Sequence, residues 1–388
     1  KGALEMIGGT TTKAGGPMVS NRGSGGKVLV GNLPVKAAHV DSWELDMLQL
    51  SSAEQKVVVR WLMFDGCGKE GLARQFVDLE VFGKFQDLVE EGYQPNTYHN
   101  AIHASDVCHT VYRLLTETRA QEWLSDLHQY ALLISALCHD IGHPGLTNPF
   151  LVETRHELAV RYNDKSPLEN MHCAKLFEIC TQEGADVLGW LDPADYKEAR
   201  KTCIAAILHT DMVNHFQMVK DISLVYELVG SACDRQRDNP GELDEEYKNS
   251  VLLNAENRLL YIELFMHLAD VSNPLKPFPI CRAWAWRVLD EFFAQGDEEK
   301  RLGIPVGMLN DREKINRPNS QIGFIEFLVC PLMAMTSNLF PALQPLSTQL
   351  YENAATWKGL WVEDAAPPAE EVEKVEARLV KLKGTLVK

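Results

Sequence analysis

The chain has 388 residues, with 38 lysines and arginines against 54 aspartates and glutamates, for a formal net charge of −16. That length buries roughly three quarters of the unfolded surface without staples, and the acidic balance excludes nucleic acid as a ligand, because phosphate backbones are held by clustered basic side chains. Nine cysteines, several inside apolar runs (Cys108, Cys138, Cys180, Cys203), suit reduced buried thiols and a cytoplasmic protein, and no apolar run of transmembrane length or secretory signal is evident.

Residues 1–36 are rich in Gly, Ser and Thr and predict a flexible leader. The first residue is Lys1, which reads as a fragment of a longer protein. GSGGK within the leader is not a phosphate loop, since Asn21 replaces the first glycine and Val28 follows the lysine. From residue 40 to 360, apolar residues recur at helical spacing in segments such as EQKVVVRWLMF, ASDVCHTVYRLLTE, LHQYALLISALC and ENRLLYIELFMHLA. They are separated by turn chemistry at Gly92 to Pro95, Asp192 to Pro193, Asn239 to Gly241 and Pro274 to Pro279. The expectation is an all-α domain over 37–362. Beyond it, Val372, Val375, Leu379, Val380 and Leu382, with glutamates early and lysines late, predict an amphipathic helix within 363–388 that docks on the core or pairs with a partner.

Four stretches place histidine or aspartate where an apolar run ends: HNAIH, CHDIGHPG, LHTDM and HLADVSNP. On a helix, His99 and His103 would share a face. YALLISALC delivers His139 and Asp140, and LLYIELFMHLA delivers Asp270. Polar side chains at the ends of buried helices need partners. Imidazole and carboxylate together suit zinc, and a carboxylate among waters suits magnesium or manganese, with Asp140 or Asp270 as a bridge between two ions. His109, His128, His156, His172 and His215 read as surface or packing residues, and His267 as a support for Asp270. His39 lies outside the motifs, and Cys138, with no second cysteine at zinc spacing, reads as core.

The ordered set HNxxH, HDxxHPGxxN, HTDM, DxSNP and SQxGF, from Tyr98 to Pro331, resembles the catalytic domain of the class I cyclic nucleotide phosphodiesterases, and among them a protozoan member. The resemblance implies a compact all-α domain of about sixteen helices in three subdomains around one deep pocket. It implies zinc on His103, His139, Asp140 and Asp270, a second ion, magnesium or manganese, bridged by Asp140, and His99 as general acid. His143, Asn148, Glu169 and Thr210 match outer groups that hold metal-bound waters. Tyr98, Met212, Asn273, Val288, Gln321 and Phe324 match the substrate pocket, with Gln321 bonding the purine and Phe324 stacking on it. The implied reaction is attack of activated water on the cyclic phosphate, with His99 protonating the departing 3′ oxygen, to give a nucleoside 5′-monophosphate. Asn273 favours cyclic AMP, and a rotatable Gln321 amide leaves cyclic GMP allowed. A homodimer or an upstream regulatory domain is compatible with the family. The loop PVGMLNDREKINRPN and the run AWAW (Ala283 to Trp286) depart from its pattern.

Two other readings share part of this constellation. Another metal-dependent nucleotide phosphohydrolase with the same His and Asp cluster would need no SQxGF segment, and a module that binds nucleotide without cleaving it would lack His99.

Overall fold

The computed structural model describes residues 32–66 and 71–387. The expected leader, including GSGGK, lies almost wholly outside them. Every regular element among the described residues is helical, in agreement with the all-α expectation. Leaving shorter turns aside, the helices in chain order are α1 (Ser52–Trp61), α2 (Leu79–Gly92), α3 (Ala101–Glu117), α4 (Asp126–Cys138), α5 (Asn148–Glu153), α6 (Glu157–Arg161), α7 (Pro167–Cys180), α8 (Pro193–Leu208), α9 (His215–Asp238), α10 (Arg258–Asp270), α11 (Phe278–Leu302), α12 (Arg317–Leu339), α13 (Gln344–Ala365) and α14 (Ala369–Leu386).

Two of these are buried on all sides. In α4 every residue from His128 to Cys138 is buried, and in α10 every residue from Tyr261 to Ala269. A helix that is apolar around its whole circumference belongs in the middle of a fold. Accordingly α4 packs on α3, α7 and α8, while α10 packs on α3, α8 and α4. Their C-terminal ends meet, which brings the residues that follow them into one place.

Caps set where the site-bearing helices begin. Ser125 accepts from the His128 backbone N–H at the start of α4. Asn100 accepts from the Ile102 and His103 N–H groups at 2.9 and 3.2 Å and starts α3. That cap corrects one expectation: His99 lies before the helix, so it does not share a helical face with His103.

Helix α14 packs on α13 and α12 through Val375, Leu379, Leu382 and Leu386, while Val380, expected in the same stripe, is 72% exposed. Arg378 Nε donates to Glu326 at 2.6 Å across this contact. Helix α12 is the one described segment long and apolar enough to cross a bilayer by composition, with mean hydropathy 1.5. It is 61% buried by protein, packed between α9, α13 and α14.

Beneath the meeting point, Lys276 Nζ donates to Asp106 Oδ1 at 2.5 Å, each side chain only 1% exposed. Asn353 Nδ2 donates to the carbonyls of Pro274 and Lys276, both at 2.7 Å, and fixes the turn that carries the lysine. Asp106 lies one turn beyond His103, and Lys276 lies six residues beyond Asp270. The pair therefore ties α3 to the chain leaving α10. Removing one partner strands the other charge in the interior, so Asp106→Asn is expected to lower unfolding free energy by about 3–5 kcal/mol. Denaturant titration checks this, and a loss below about 1 kcal/mol, the range of exposed pairs, would mean the lysine is solvated rather than tied.

Candidate active site

At the meeting of α3, α4 and α10, four side chains turn their acceptor atoms toward one another. His103 Nε2 lies 3.1 Å from Asp270 Oδ1, 3.2 Å from His139 Nε2 and 3.5 Å from Asp140 Oδ2. His139 Nε2 lies 3.2 Å from Asp140 Oδ2 and 3.3 Å from Asp270 Oδ1. Both rings are fully buried. The His139 tautomer is fixed by Nδ1, which donates to the Ala136 carbonyl at 2.8 Å and leaves the Nε2 lone pair facing inward. His103 is held by packing instead, its ring 4.5 Å from that of Tyr98 and 5.9 Å from that of Trp284.

Lone pairs and carboxylates at this spacing repel unless a positive charge lies among them. Burial disfavours a charged His139 ring, yet Asp140 and Asp270 outweigh it and raise its pKa well above the ordinary value. Burial likewise opposes ionisation of Asp270, but hydrogen bonds from His103 and His139 hold its carboxyl far below the usual range. The cluster takes either protons or a cation. Two nitrogens and two carboxylate oxygens, all within 4.8 Å of one another, fit a divalent metal.

The loop after His139 is shaped for this. Tyr93 Oη donates to the Leu137 carbonyl at 3.0 Å and accepts from the Asp140 N–H at 3.3 Å. Gly142 sits at φ +80°, a left-handed backbone conformation that side chains rarely adopt, so the turn at this point favours glycine. His143 Nδ1 accepts from the Gly145 N–H at 3.0 Å. Burial and the neighbouring His99 push the His143 pKa well down, so the ring is neutral.

His99 occupies a second position, with its ring stacked 3.9 Å from His143. Its Nδ1 donates to Glu291 of α11, which also accepts from the Tyr98 and His99 N–H groups at 3.0 and 3.2 Å. Burial lowers the His99 pKa, but Asp140 and Glu291 more than offset it, and the net shift is upward. Asn96 Nδ2 donates to the carbonyls of His99 and His143 at 2.9 and 2.7 Å and locks the two loops together. One turn along α11, Gln295 Oε1 accepts from the Thr147 N–H at 2.8 Å. One turn further, Glu299 accepts from Gln295 at 2.7 Å and from Asn310 at 2.9 Å.

The outer groups expected around a second ion form a polar chain. Asn148 Nδ2 donates to Glu169 at 2.8 Å and reaches Asp211 at 3.4 Å, while its Oδ1 accepts from the Leu168 N–H. Burial and the Asp211 charge push the Glu169 carboxyl up to about 8. Thr210 is buried and donates to the Ile207 carbonyl at 2.8 Å.

Among the residues expected to line the substrate pocket, Asn273 Nδ2 donates to Tyr98 Oη at 2.6 Å, and Val288 packs with Tyr98 and Trp284. Gln321 is buried, and its amide bonds no described residue; Phe324 is partly buried against the main core. Met212 is a 41% exposed side chain in the turn after Asp211.

Two histidines behave differently from expectation. His172, read as surface or packing, is buried at the site: its Nδ1 donates to the Ile141 carbonyl at 2.8 Å, and its Nε2 faces Asp140 Oδ1 at 3.7 Å. Burial pushes its pKa down to about 4, so two acceptors oppose each other there and call for a donor between them. His267, read as a support for Asp270, instead bonds His215 at 2.8 Å. Glu291, Asp211 and Asn96 were not picked out from sequence.

A model of the 3′,5′-cyclic nucleotide phosphodiesterase family matches residues 98–350. A Drosophila melanogaster dual specificity calcium/calmodulin-dependent 3′,5′-cyclic nucleotide phosphodiesterase 1 is 33% identical over 82% of this chain and 36% of its own length. The human high affinity cAMP-specific and IBMX-insensitive 3′,5′-cyclic phosphodiesterase 8A is 32% identical over 82% of this chain and 38% of its own. The chain thus spans well under half the length of these curated relatives. The crystal structure of the phosphodiesterase domain of Salpingoeca rosetta rhodopsin phosphodiesterase superposes with a TM-score of 0.74 at 31% identity, covering 88% of this chain and 96% of that one. All four inward-facing acceptors and His99 fall inside the matched span, and the chain belongs to the class I 3′,5′-cyclic nucleotide phosphodiesterase family.

Proposed function

We propose that this chain hydrolyses the 3′ phosphoester bond of cyclic nucleotides, cyclic AMP in preference to cyclic GMP, to the 5′-monophosphate. The observation that carries the proposal is a positively biased imidazole, His99, held by Glu291 beside a buried cluster that fits a divalent cation. Zinc suits the mixed donors of His103, His139, Asp140 and Asp270. Magnesium or manganese suits a second place beside Asp140, with His143, Asn148, Glu169 and Thr210 to orient waters. Bound cations would supply Lewis acidity, neutralising phosphate charge and acidifying water.

The chain's own residues supply the rest. Glu291 engages His99 at Nδ1, so the proton available to the departing 3′ oxygen is the one on Nε2. Glu291 lies outside the four-donor cluster, so its charge is the one that keeps His99 protonated once a cation neutralises Asp140 and Asp270. With its amide nitrogen on Tyr98, Asn273 has its oxygen free to accept from the amino group of adenine, where guanine presents an acceptor. Gln321, with an uncommitted amide, suits either purine, and Phe324 and Val288 provide apolar surface for the base.

Steady-state constants on zinc- and magnesium-loaded protein test the reading: cyclic AMP is expected to show the higher kcat/KM, and equal or reversed constants would sink the adenine preference. His99→Ala is expected to cost about two to four orders of magnitude in kcat with zinc content kept. Since the protonated ring is the active form, kcat falls as pH rises through its pKa. Glu291→Gln removes a charge that raises that pKa, so the alkaline limb should move down by about one unit. For Asp270→Ala, metal analysis is expected to show zinc lost together with activity. In chelated protein, Glu169 binds its proton more tightly folded than unfolded, so stability falls as pH rises from about 4.5 toward 8. Glu169→Gln should flatten that fall, read as melting temperatures at the two ends of the range.

A further inference from the structure

Large apolar side chains exposed singly are ordinary, but a concentration of them marks a contact surface. Five of the fourteen exposed large hydrophobics among the described residues lie between Met212 and Leu228. Three are on α9: Phe216 at 64% exposed, Leu224 at 48% and Leu228 at 86%. They recur at multiples of four and share one side of the helix with Lys220. Phe216, Lys220 and Leu224 line one wall of an open groove of about 670 Å³ whose remaining lining includes Pro331 and Met335 of α12 and Lys381 and Thr385 of α14. Neither Lys220 nor Glu227, which stand on either side of Leu224, forms an ion pair with a described residue.

We infer that this face of α9 is an isologous interface between two copies of the chain, packed antiparallel about a twofold axis between Ser223 and Leu224. The pattern along the helix is complementary to its own reverse. With that axis, 220 faces 227, 219 faces 228 and 216 faces 231. Each Lys220 therefore meets Glu227 of the second copy, twice by symmetry. Each Leu228 meets Val219, and each Phe216 ring falls over Ser231 beside Gly230, where small residues leave room for it. Charge and size both match in one register, and the next residue in either direction would set Lys220 against Leu228 or Tyr226. Helix α9, at 24 residues, is long enough to present the whole pattern as one continuous stripe. The leucines at the centre exclude water from the two ion pairs, which sets register and orientation.

Sedimentation velocity on the full 388-residue chain, from low to high micromolar, tests this. The expected result is a reversible dimer. Lys220→Glu places like charges opposite each other at both symmetric positions and should weaken the dimer by at least about tenfold. Lys220→Glu combined with Glu227→Lys reverses both partners and should recover it. Leu228→Asp, at a highly exposed position, should give monomer with an unchanged melting temperature and unchanged turnover. A chain that stays monomeric across the range overturns the inference. So does a dimer indifferent to Leu228→Asp, or one that the double charge reversal fails to rescue.

Discussion

Four clustered acceptors, three of them buried, facing one another without a donor among them is an arrangement a folded protein tolerates only if something positive sits between them. Two neutral imidazoles and two carboxylates carry a deficit of two charges in a region where unpaired polar groups cost several kcal/mol each. The hydrogen bond from His139 Nδ1 to Ala136 fixes the ring, so that Nε2 is the atom that must take a proton or face a cation. The same demand explains the surroundings. Tyr93 and the Asp106–Lys276 pair hold the backbone and the helices in place while contributing no further donor to the cavity.

The apolar helices make this placement affordable. α4 and α10 are buried around their full circumference, so their positions are set by packing on many sides, and the residues at their ends inherit that rigidity. The proposed acid, by contrast, sits outside the helical frame. His99 precedes the cap of α3 and is oriented by Glu291, by Asn96 and by the stacked His143 ring. In the proposed reaction, cation binding and proton donation thus rest on separate supports, the first on helix ends and the second on loops clamped by α11.

That division also decides what the sequence reveals. His103, His139, Asp140 and Asp270 are legible because each interrupts an apolar run, and polar residues at such points have few bland explanations. The all-α character is legible for the same reason, from periodicity. Glu291 is not, since on the amphipathic α11 an acidic residue reads as solvated surface, and its partner is 192 residues away. His172 looks like any helix histidine until α7 is packed against the loop after His139. The four-residue spacing of His99 and His103 suggested a shared helical face, but Asn100 between them is a strong cap, and local capping chemistry won over periodicity. Val380 fits the stripe of α14 by spacing, yet the contact with α12 and α13 is too narrow to cover it.

Glu291, Gln295 and Glu299 stand on three successive turns of α11 and reach, in order, the acid loop, the Thr147 loop and the Asn310 turn. The helix works as a ruler with marks one turn apart. Inserting or deleting a single residue between the first and second marks would rotate everything beyond it by about 100° and swing at least one of these groups away from its loop. The spacing of these three groups therefore constrains the length of this stretch of the rod, while its exposed side chains carry no such constraint.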